Sequence, residues 1–550
     1  MMCRSLSLGS AALLALGSLC QAQQASANGA LSARIDHVFA QWDRGGSPGC
    51  AVGASRDGKV LYSHGYGSAN LEYDVPITTA SIFESGSVAK QFTAAAIVLL
   101  AQEGKLSLDD DIRRYLPEVP NLGDTIRIRH LLTHTSGLRD QWELLAIEGR
   151  GPGSQVHSPS TTLDLVIHQK SLNFPPGTEY SYSNTGYALL GIIVQRLSGQ
   201  TLDAFTQTKL FTPLGMSHTR WRDDFTAVVK GRTTAYSGTA ERGFHTDMPF
   251  TNMIGNGGLL TTVGDLLRWN ENFFNPTIGG RSLVDTMQTR MVLRDRRRIP
   301  YALGVSVGAY DGVAEVSHSG ATAGYRSFLA RYPDQHVSLA VLCNVGSANP
   351  VALGHQVADL LITKPAAAAQ SGAPTLALTT AQLERWTGTY LDRRTDNTLR
   401  LAVREGSLID EDTPRRAIRA MSPDVFRLAD DTELRFQGTA PSRTALVVRT
   451  DGDTTTLVEV STKPLPAARL AEYVGRYTSD ELDVKLDVAV KDAHLILRRR
   501  PADEMAMRQV YDDDFATPIG SVRFSRDATG QITGFGVFSG RIRNVRFRRD

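Results

Sequence analysis

The sequence of 550 residues has four cysteines, a net charge of +2 and no long apolar run beyond its N-terminus. No histidine and cysteine cluster has the spacing of a zinc site, so neither a metal nor another cofactor is expected. The small net charge, without basic clusters interleaved with aromatics, gives no reason to expect a nucleic-acid partner. No later segment approaches the roughly 20 apolar residues that a membrane span needs. These absences leave a small-molecule or peptide partner possible, and they leave the oligomeric state open.

The first 27 residues are typical of a signal peptide. Arg4 precedes an apolar run that ends in small residues at positions 25–27, and such a segment is removed from the mature chain. Cleavage after Ala27, or earlier after Ala22, predicts a periplasmic or secreted protein without stable membrane insertion. Cys20 would allow lipidation, but Leu19 before it is bulky where lipidation sites have a small residue.

Signal cleavage leaves two cysteines, Cys50 and Cys343, both in apolar runs that read as strands. Buried free thiols are one interpretation, since free cysteine behaves as a small apolar residue. A disulfide is the other, because an oxidising compartment permits it if the two Cα atoms lie within about 7 Å.

The order of predicted elements indicates an α+β fold in the first two thirds of the chain. Two strands near residues 49–55 and 59–66 are joined by a turn at Asp57-Gly58. Residues 125–250 read as mainly helical and irregular, and strands return from residue 303 before a helix near 350–362. Strands at both ends of a helical insertion predict one antiparallel sheet built from distant segments.

The last third of the chain contains an internal repeat. Residues 364–375, rich in Ala, Pro, Gly and Ser, predict a linker. Beyond it, Leu383-x-x-Trp386-x-Gly388-x-Tyr390 recurs as Leu470-x-x-Tyr473-x-Gly475-x-Tyr477. Short alternating strands fill both copies, so we expect two antiparallel β-barrels, at 376–465 and 466–550.

Ser87 and Lys90 form a Ser-x-x-Lys pattern at the start of a predicted helix whose apolar residues recur at helical spacing. The positive end of a helix favours an alkoxide on Ser87 and disfavours a proton on Lys90. A serine nucleophile needs such a neighbouring base. The pattern alone is weak, since chance produces it about once or twice in a chain of this length.

Three motifs in order, Ser87-x-x-Lys90, Tyr182-x-Asn184 and His318-x-Gly320, resemble the active-site motifs of the penicillin-recognising serine hydrolases. That family includes class C β-lactamases, DD-carboxypeptidases, D-aminopeptidases and related esterases. The resemblance covers about residues 30–362. It implies a β-lactamase-like domain over 28–363, with an antiparallel sheet flanked by helices and a helical subdomain, followed here by two lipocalin-like barrels.

The resemblance also implies roles for the motif residues. Ser87 would attack a carbonyl, and Tyr182, as a phenolate or bound by Lys90, would carry the proton to the leaving group. A phenol pKa of about 10 would have to fall for this, through the positive charge of Lys90. Asn184 would orient the substrate, although asparagine at a helix entrance is equally explained as a cap. The oxyanion hole would comprise the backbone N–H groups of Ser87 and Ala321.

His318 departs from the Lys-Thr-Gly form that most members have, and resembles the D-aminopeptidases and some esterases. With Gly320 and Ala321 it is predicted to bind substrate, the alternative being a solvated strand histidine. Histidine is only weakly charged at neutral pH, so D-aminopeptidase- or esterase-like activity on amides or esters is favoured. A β-lactamase or DD-carboxypeptidase remains an alternative, as does a non-catalytic exported sensor or scaffold.

A catalytic domain followed by two barrels is the layout of D-aminopeptidases, in which a loop of the last barrel reaches the active site. The acidic run Asp512-Asp513-Asp514 is the candidate for such a loop in this sequence. Its alternative is an ordinary solvated turn. His130 and His134, which precede the second motif, are expected to make structural hydrogen bonds rather than to act as ligands or bases.

Overall fold

The computed structural model describes residues 29–365, 376–413, 418–428, 432–449, 453–460, 464–500 and 503–550. The predicted signal peptide and nearly all of the predicted linker lie outside these residues. Within them, no helix is both long and apolar enough to cross a membrane.

A six-stranded antiparallel sheet lies at the centre of the first domain and confirms the sheet predicted from distant segments. Its strands, in spatial order, are Ser306–Tyr310, Val313–Thr322, Tyr325–Tyr332, Val337–Cys343, Cys50–Arg56 and Lys59–Tyr66. Cys50 is paired directly with Cys343 across two neighbouring strands, and the two are joined in a disulfide with Cα atoms 4.0 Å apart. Of the two interpretations of these cysteines, the structure therefore contains the disulfide.

Side chains of each central strand alternate between two apolar cores, as the two-residue period of a strand requires. Along one strand, Leu339 and Val341 face a core formed with helix 29–39 and helix Pro350–Leu361. Ala340 and Leu342 face the larger core on the opposite side, which contains the helix that follows Ser87. The nucleophile candidate therefore begins a helix that is packed against the middle of the sheet.

Helices fill the insertion between the two halves of the sheet, as predicted. In chain order the described α-helices after helix 29–39 are Lys90–Gln102, Ile128–Leu132, Gln141–Glu148, Pro159–His168, Asn184–Ser198, Leu202–Thr206, Val263–Phe274, Gly280–Gln288, Pro350–Leu361 and Thr380–Glu384. Short strands at Phe83–Glu84, Leu259–Thr261 and Arg220–Trp221 form a small sheet beside the Ser87 turn.

Two nearly closed antiparallel sheets follow, which confirms the predicted barrels. The first has eight strands: Gly388–Leu391, Thr398–Arg404, Ser407–Asp410, Ile418–Ala420, Val425–Leu428, Glu433–Gln437, Thr444–Val448 and Thr454–Val460. The second has nine: Gly475–Ser479, Val484–Lys491, His494–Arg500, Asp503–Ala506, Arg508–Tyr511, Asp514–Thr517, Gly520–Arg526, Ile532–Ser539 and Ile542–Arg549.

The sequence repeat corresponds to the same corner in each barrel. The Tyr390 hydroxyl donates to the carbonyl of Trp386 at 3.1 Å, and the Tyr477 hydroxyl donates to the carbonyl of Tyr473 at 2.7 Å. Each tyrosine is fully buried in its own barrel core. The repeated Tyr thus closes the turn that leads into the first strand of each barrel.

The second barrel is docked on the first domain through helix Gln141–Glu148. Leu144, Leu145 and Ile147 of this helix belong to the apolar core of the barrel. Beside them, Arg139 donates to Glu481 at 2.8 Å, and both side chains are almost fully buried. This interface lies next to the motif residues and brings one barrel turn into the site described below.

Candidate active site

Ser87 lies in a single 3-10 turn, Gly86–Ala89, from which helix Lys90–Gln102 continues. The third motif packs directly on this turn. A Cβ at Gly320 would lie 2.9 Å from the Ser87 nitrogen and closer still to the Ser85 carbonyl, which side-chain carbons do not tolerate. Glycine at position 320 therefore allows the backbones of residues 320–321 and 85–87 to approach, as an oxyanion hole between Ser87 and Ala321 requires.

Lys90 is completely buried and directs its amine at three oxygen atoms. Its Nζ lies 3.1 Å from Ser87 Oγ, 2.9 Å from Asn184 Oδ1 and 2.6 Å from the carbonyl of Asn256. Burial lowers the pKa of Lys90 well below its usual value, Asp140 raises it and Arg541 lowers it further. The ordinary preference of lysine for the charged form is thus weakened next to the serine.

The three partners of Lys90 fit a neutral amine. Asn184 Oδ1 and the Asn256 carbonyl can only accept hydrogen bonds, so they take the two N–H groups of a neutral amine. The remaining lone pair then faces Ser87, whose hydroxyl is the one partner that can donate. In its neutral form, which burial favours, Lys90 can accept the proton of Ser87 in this arrangement.

Tyr182 differs from the expectation that Lys90 would lower the pKa of its phenol. Burial raises the pKa of Tyr182 above its usual value, and the hydrogen bond with Ser87 only partly offsets this effect. The Lys90 amine lies 4.9 Å from the centroid of the Tyr182 ring, and its hydrogen bonds go to other groups. His134 packs against the Tyr182 ring with centroids 4.1 Å apart, and the Ser183 N–H donates to His134 Nδ1. Tyr182 is consequently a neutral phenol held beside Ser87.

Asn184 is the first residue of helix Asn184–Ser198, and Ser183 occupies the cap position. The Asn184 side chain accepts a hydrogen bond from Lys90 and donates one to Asp140 Oδ2 at 3.0 Å. Asn184 therefore does not act as a helix cap. Asp140, fully buried, also accepts from the Asn184 backbone N–H and from the Trp142 N–H. Sequence reasoning missed Asp140: its place before a helix indicates a cap, but its contact with a residue 44 positions away has no local signal.

His318 lies in the wall of the site with both ring nitrogens engaged. Its Nδ1 is 2.6 Å from the Ser319 carbonyl, so the proton belongs on Nδ1, and Nε2 accepts from the Tyr301 hydroxyl at 2.9 Å. Burial, followed by the proximity of Lys90, lowers the pKa of His318 to about 4. The His318 ring is therefore neutral at neutral pH. Its Nε2, which would have to bind a substrate carboxylate, is already hydrogen-bonded to Tyr301, a residue that belongs to none of the three motifs.

An open cleft of about 900 Å³ passes over these groups. The predicted residues that line it are Ser87, Tyr182, Asn184, His318, Gly320 and Ala321. Lys90 is buried behind them. Apolar side chains form another part of the wall: Trp142, Met248, Pro249, Phe250, Met253 and Val351. The structure thus gathers all seven predicted site residues around one cleft.

The barrel segment that reaches this cleft is not the predicted acidic run. Asp513 pairs with Arg526 and the Tyr473 hydroxyl inside the second barrel, and Asp514 is buried against Ser521. Arg541, in the turn 540–541 between the last two strands, lines the cleft instead. An acidic run is easy to recognise in a sequence, whereas a turn that reaches the cleft because the barrel docks there has no sequence pattern that identifies it.

A serine and a buried lysine at a helix start, packed against an antiparallel sheet beside a tyrosine and an asparagine, define a serine hydrolase of the β-lactamase-like class. The family model described as Beta-lactamase matches residues 35–364. The chain belongs to this family, and it is an enzyme of the serine hydrolase type.

Relatives extend the similarity through both barrels. A D-aminopeptidase of Brucella anthropi is 28% identical over 548 residues, covering 94% of this chain and 98% of the relative. A D-aminopeptidase of Gluconobacter oxydans is 28% identical over 449 residues, covering 79% of this chain and 80% of the relative. The solved octameric penicillin-binding protein homologue of Pyrococcus abyssi has a TM-score of 0.55 at 22% identity, covering 86% of this chain and 98% of that one.

Proposed function

We propose that this protein is an exported, D-aminopeptidase- or esterase-like hydrolase that cleaves amide or ester bonds through an acyl group on Ser87. The observation that carries the proposal is the contact of Ser87 Oγ with a fully buried lysine at 3.1 Å. The similarity to D-aminopeptidases over nearly the whole chain supports amides of D-residues as substrates. The N-terminal sequence and the Cys50–Cys343 disulfide support export.

In acylation, Ser87 Oγ forms a bond to the substrate carbonyl carbon as its proton passes to the neutral Lys90 amine. The oxyanion receives hydrogen bonds from the backbone N–H groups of Ser87 and Ala321. The bond to the leaving group then breaks, and that group takes the phenolic proton of Tyr182. Lys90 returns its proton to Tyr182, so the serine proton has in effect been delivered to the leaving group.

Deacylation reverses these roles with water as the nucleophile. A water molecule loses a proton to the Lys90 and Tyr182 pair and attacks the ester carbonyl. The Ser87 oxygen leaves and regains a proton from the same pair. Asn184 holds Lys90 in position throughout, because its amide is fixed by Asp140 on one side and by the lysine on the other.

The test compares Ser87→Ala with Ser85→Ala, two residues away. Ser85 is buried, and its hydroxyl has no hydrogen-bond partner among the described residues. Ser85→Ala therefore also removes a serine hydroxyl, but it breaks no hydrogen bond of the site. With D-alanine p-nitroanilide, its L-counterpart, p-nitrophenyl acetate and nitrocefin as substrates, Ser87→Ala should lose hydrolysis by several orders of magnitude. Labelling by a fluorescent phosphonate should disappear with it.

Three results would contradict the proposal. Retention by Ser87→Ala of more than about a tenth of the wild-type turnover would exclude Ser87 as nucleophile. Nitrocefin as the best substrate by a wide margin would favour a β-lactamase. Absence of labelling and turnover in the wild-type protein would favour a binding protein.

A further inference from the structure

The cleft is lined by two arginines within the described chain, Arg326 and Arg541. Arg326 is partly engaged, since its Nη1 donates to the carbonyls of Ala323 and Tyr325 at 2.7 Å each. The third-motif position that is a lysine in most of the family is the neutral His318 here. Arg541 is the stronger candidate to bind a substrate anion, because none of its guanidinium nitrogens donates a hydrogen bond within the described residues.

The turn that carries Arg541 is held by its backbone. The Arg541 carbonyl accepts from Asn173 Nδ2 at 2.9 Å and from the Asp140 N–H at 3.3 Å. The Arg543 N–H donates to Asn173 Oδ1 at 2.8 Å. Since these bonds involve backbone atoms of the turn, its position does not depend on the side chain of residue 541.

The guanidinium of Arg541 is left available. The Arg541 side chain is 41% exposed, and its Nη1 lies 3.9 Å from Asp140 Oδ2, which is beyond hydrogen-bond distance. The Asp140 oxygens are already occupied by three donors, from Trp142 and Asn184. In the described part of the chain no acceptor takes a hydrogen bond from this guanidinium, which offers a planar fork of donors suited to a carboxylate.

The position of Arg541 relative to Tyr182 assigns the side of the substrate that it meets. The guanidinium carbon lies 5.0 Å from the centroid of the Tyr182 ring, and the proposed function makes Tyr182 the proton donor to the leaving group. We propose that Arg541 binds a carboxylate on the leaving group, so that peptides with a free C-terminal carboxylate are preferred over neutral amides. This proposal rests on the proposed function and names its substrate class.

A permanent cation from the barrel changes the expectation drawn from His318 alone. Arginine stays charged at any ordinary pH, so recognition of the carboxylate should not weaken between pH 6 and 9, as it would with an imidazolium. The second barrel then supplies a specificity residue to the cleft of the first domain.

The experiment uses a matched substrate pair, a D-alanyl dipeptide with a free carboxylate and the same dipeptide as its C-terminal amide. The readout is the ratio of the two kcat/KM values at several pH values, which cancels general effects on the site. Arg541→Gln should lower this ratio about tenfold or more, as expected for one charge-assisted hydrogen bond. Arg541→Lys should retain most of it.

Arg548→Gln serves as the control, because it removes the same charge from an exposed position on the following strand. It should leave the ratio unchanged. A ratio near one in the wild-type protein, or a ratio unaffected by Arg541→Gln, would overturn the proposal while the proposed function stands. Absence of turnover on both dipeptides and on D-alanine p-nitroanilide would instead refute the proposed function.

Discussion

Replacement of Glu481 by glutamine tests how the second barrel is held on the catalytic domain. Glu481 pairs with Arg139 in the interface, with side-chain exposures of 7% and 1%. Glutamine keeps the shape and one acceptor but removes the charge, which leaves the guanidinium of Arg139 buried without a counter-ion. Arg139 also donates to the carbonyls of Ser171 and Arg543, so hydrogen bonds remain.

Removing one partner of a buried ion pair costs about 3–5 kcal/mol. We expect a value near 3 kcal/mol for Glu481→Gln, because Arg139 keeps its backbone acceptors. With a slope of about 2 kcal/mol per M of urea, the opening of the second barrel should shift to lower urea by roughly 1.5 M. The turn that carries Arg541 should be displaced with it, so activity on substrates should fall as well.

Hydrogen exchange followed by mass spectrometry at increasing urea would measure the opening of each barrel separately, because peptides from the strands of each barrel can be distinguished. Glu459→Gln is the matched control: Glu459 pairs with Arg443 inside the first barrel, with exposures of 11% and 9%. It should destabilise the first barrel and leave the second barrel and the activity unchanged. A shift of the second barrel below about 0.5 kcal/mol, as an exposed pair would give, would refute the reasoning.

Two further predictions concern proton transfer and pH. Lys90→Met and Tyr182→Phe should each cost about as much activity on p-nitrophenyl acetate as the double variant, because both residues serve one proton path; additive losses would contradict this. Burial, with Asp396 next in effect, raises the pKa of Asp514 to about 9. The folded chain then keeps a proton that the unfolded chain has released, so stability should fall as pH rises from about 4 through 9, and Asp514→Asn should flatten that fall in urea midpoints; parallel curves would exclude it.

Local patterns in the sequence were sufficient for the fold class and for the motif residues. The strands and the helix after Ser87 follow from side-chain periodicity, which is a property of neighbouring residues. The two barrels follow from the internal repeat of the last third of the chain. The order of the three motifs is sufficient to identify the family without any knowledge of contacts between them. The family also placed Ser87, Lys90, Tyr182 and Asn184 together.

Tertiary structure alone decided the electrostatics of the site and its completion by the barrel. Burial lowers the pKa of Lys90 and His318 and raises that of Tyr182. This burial depends on segments that are distant in the chain. Tyr301 and Arg541 carry no motif, so their roles follow only from what they contact. Asp140 reads as a cap in the sequence and becomes the anchor of Asn184 only because two helix starts meet. Periodicity determines which elements form, whereas the docking of their surfaces determines which charges share a cleft.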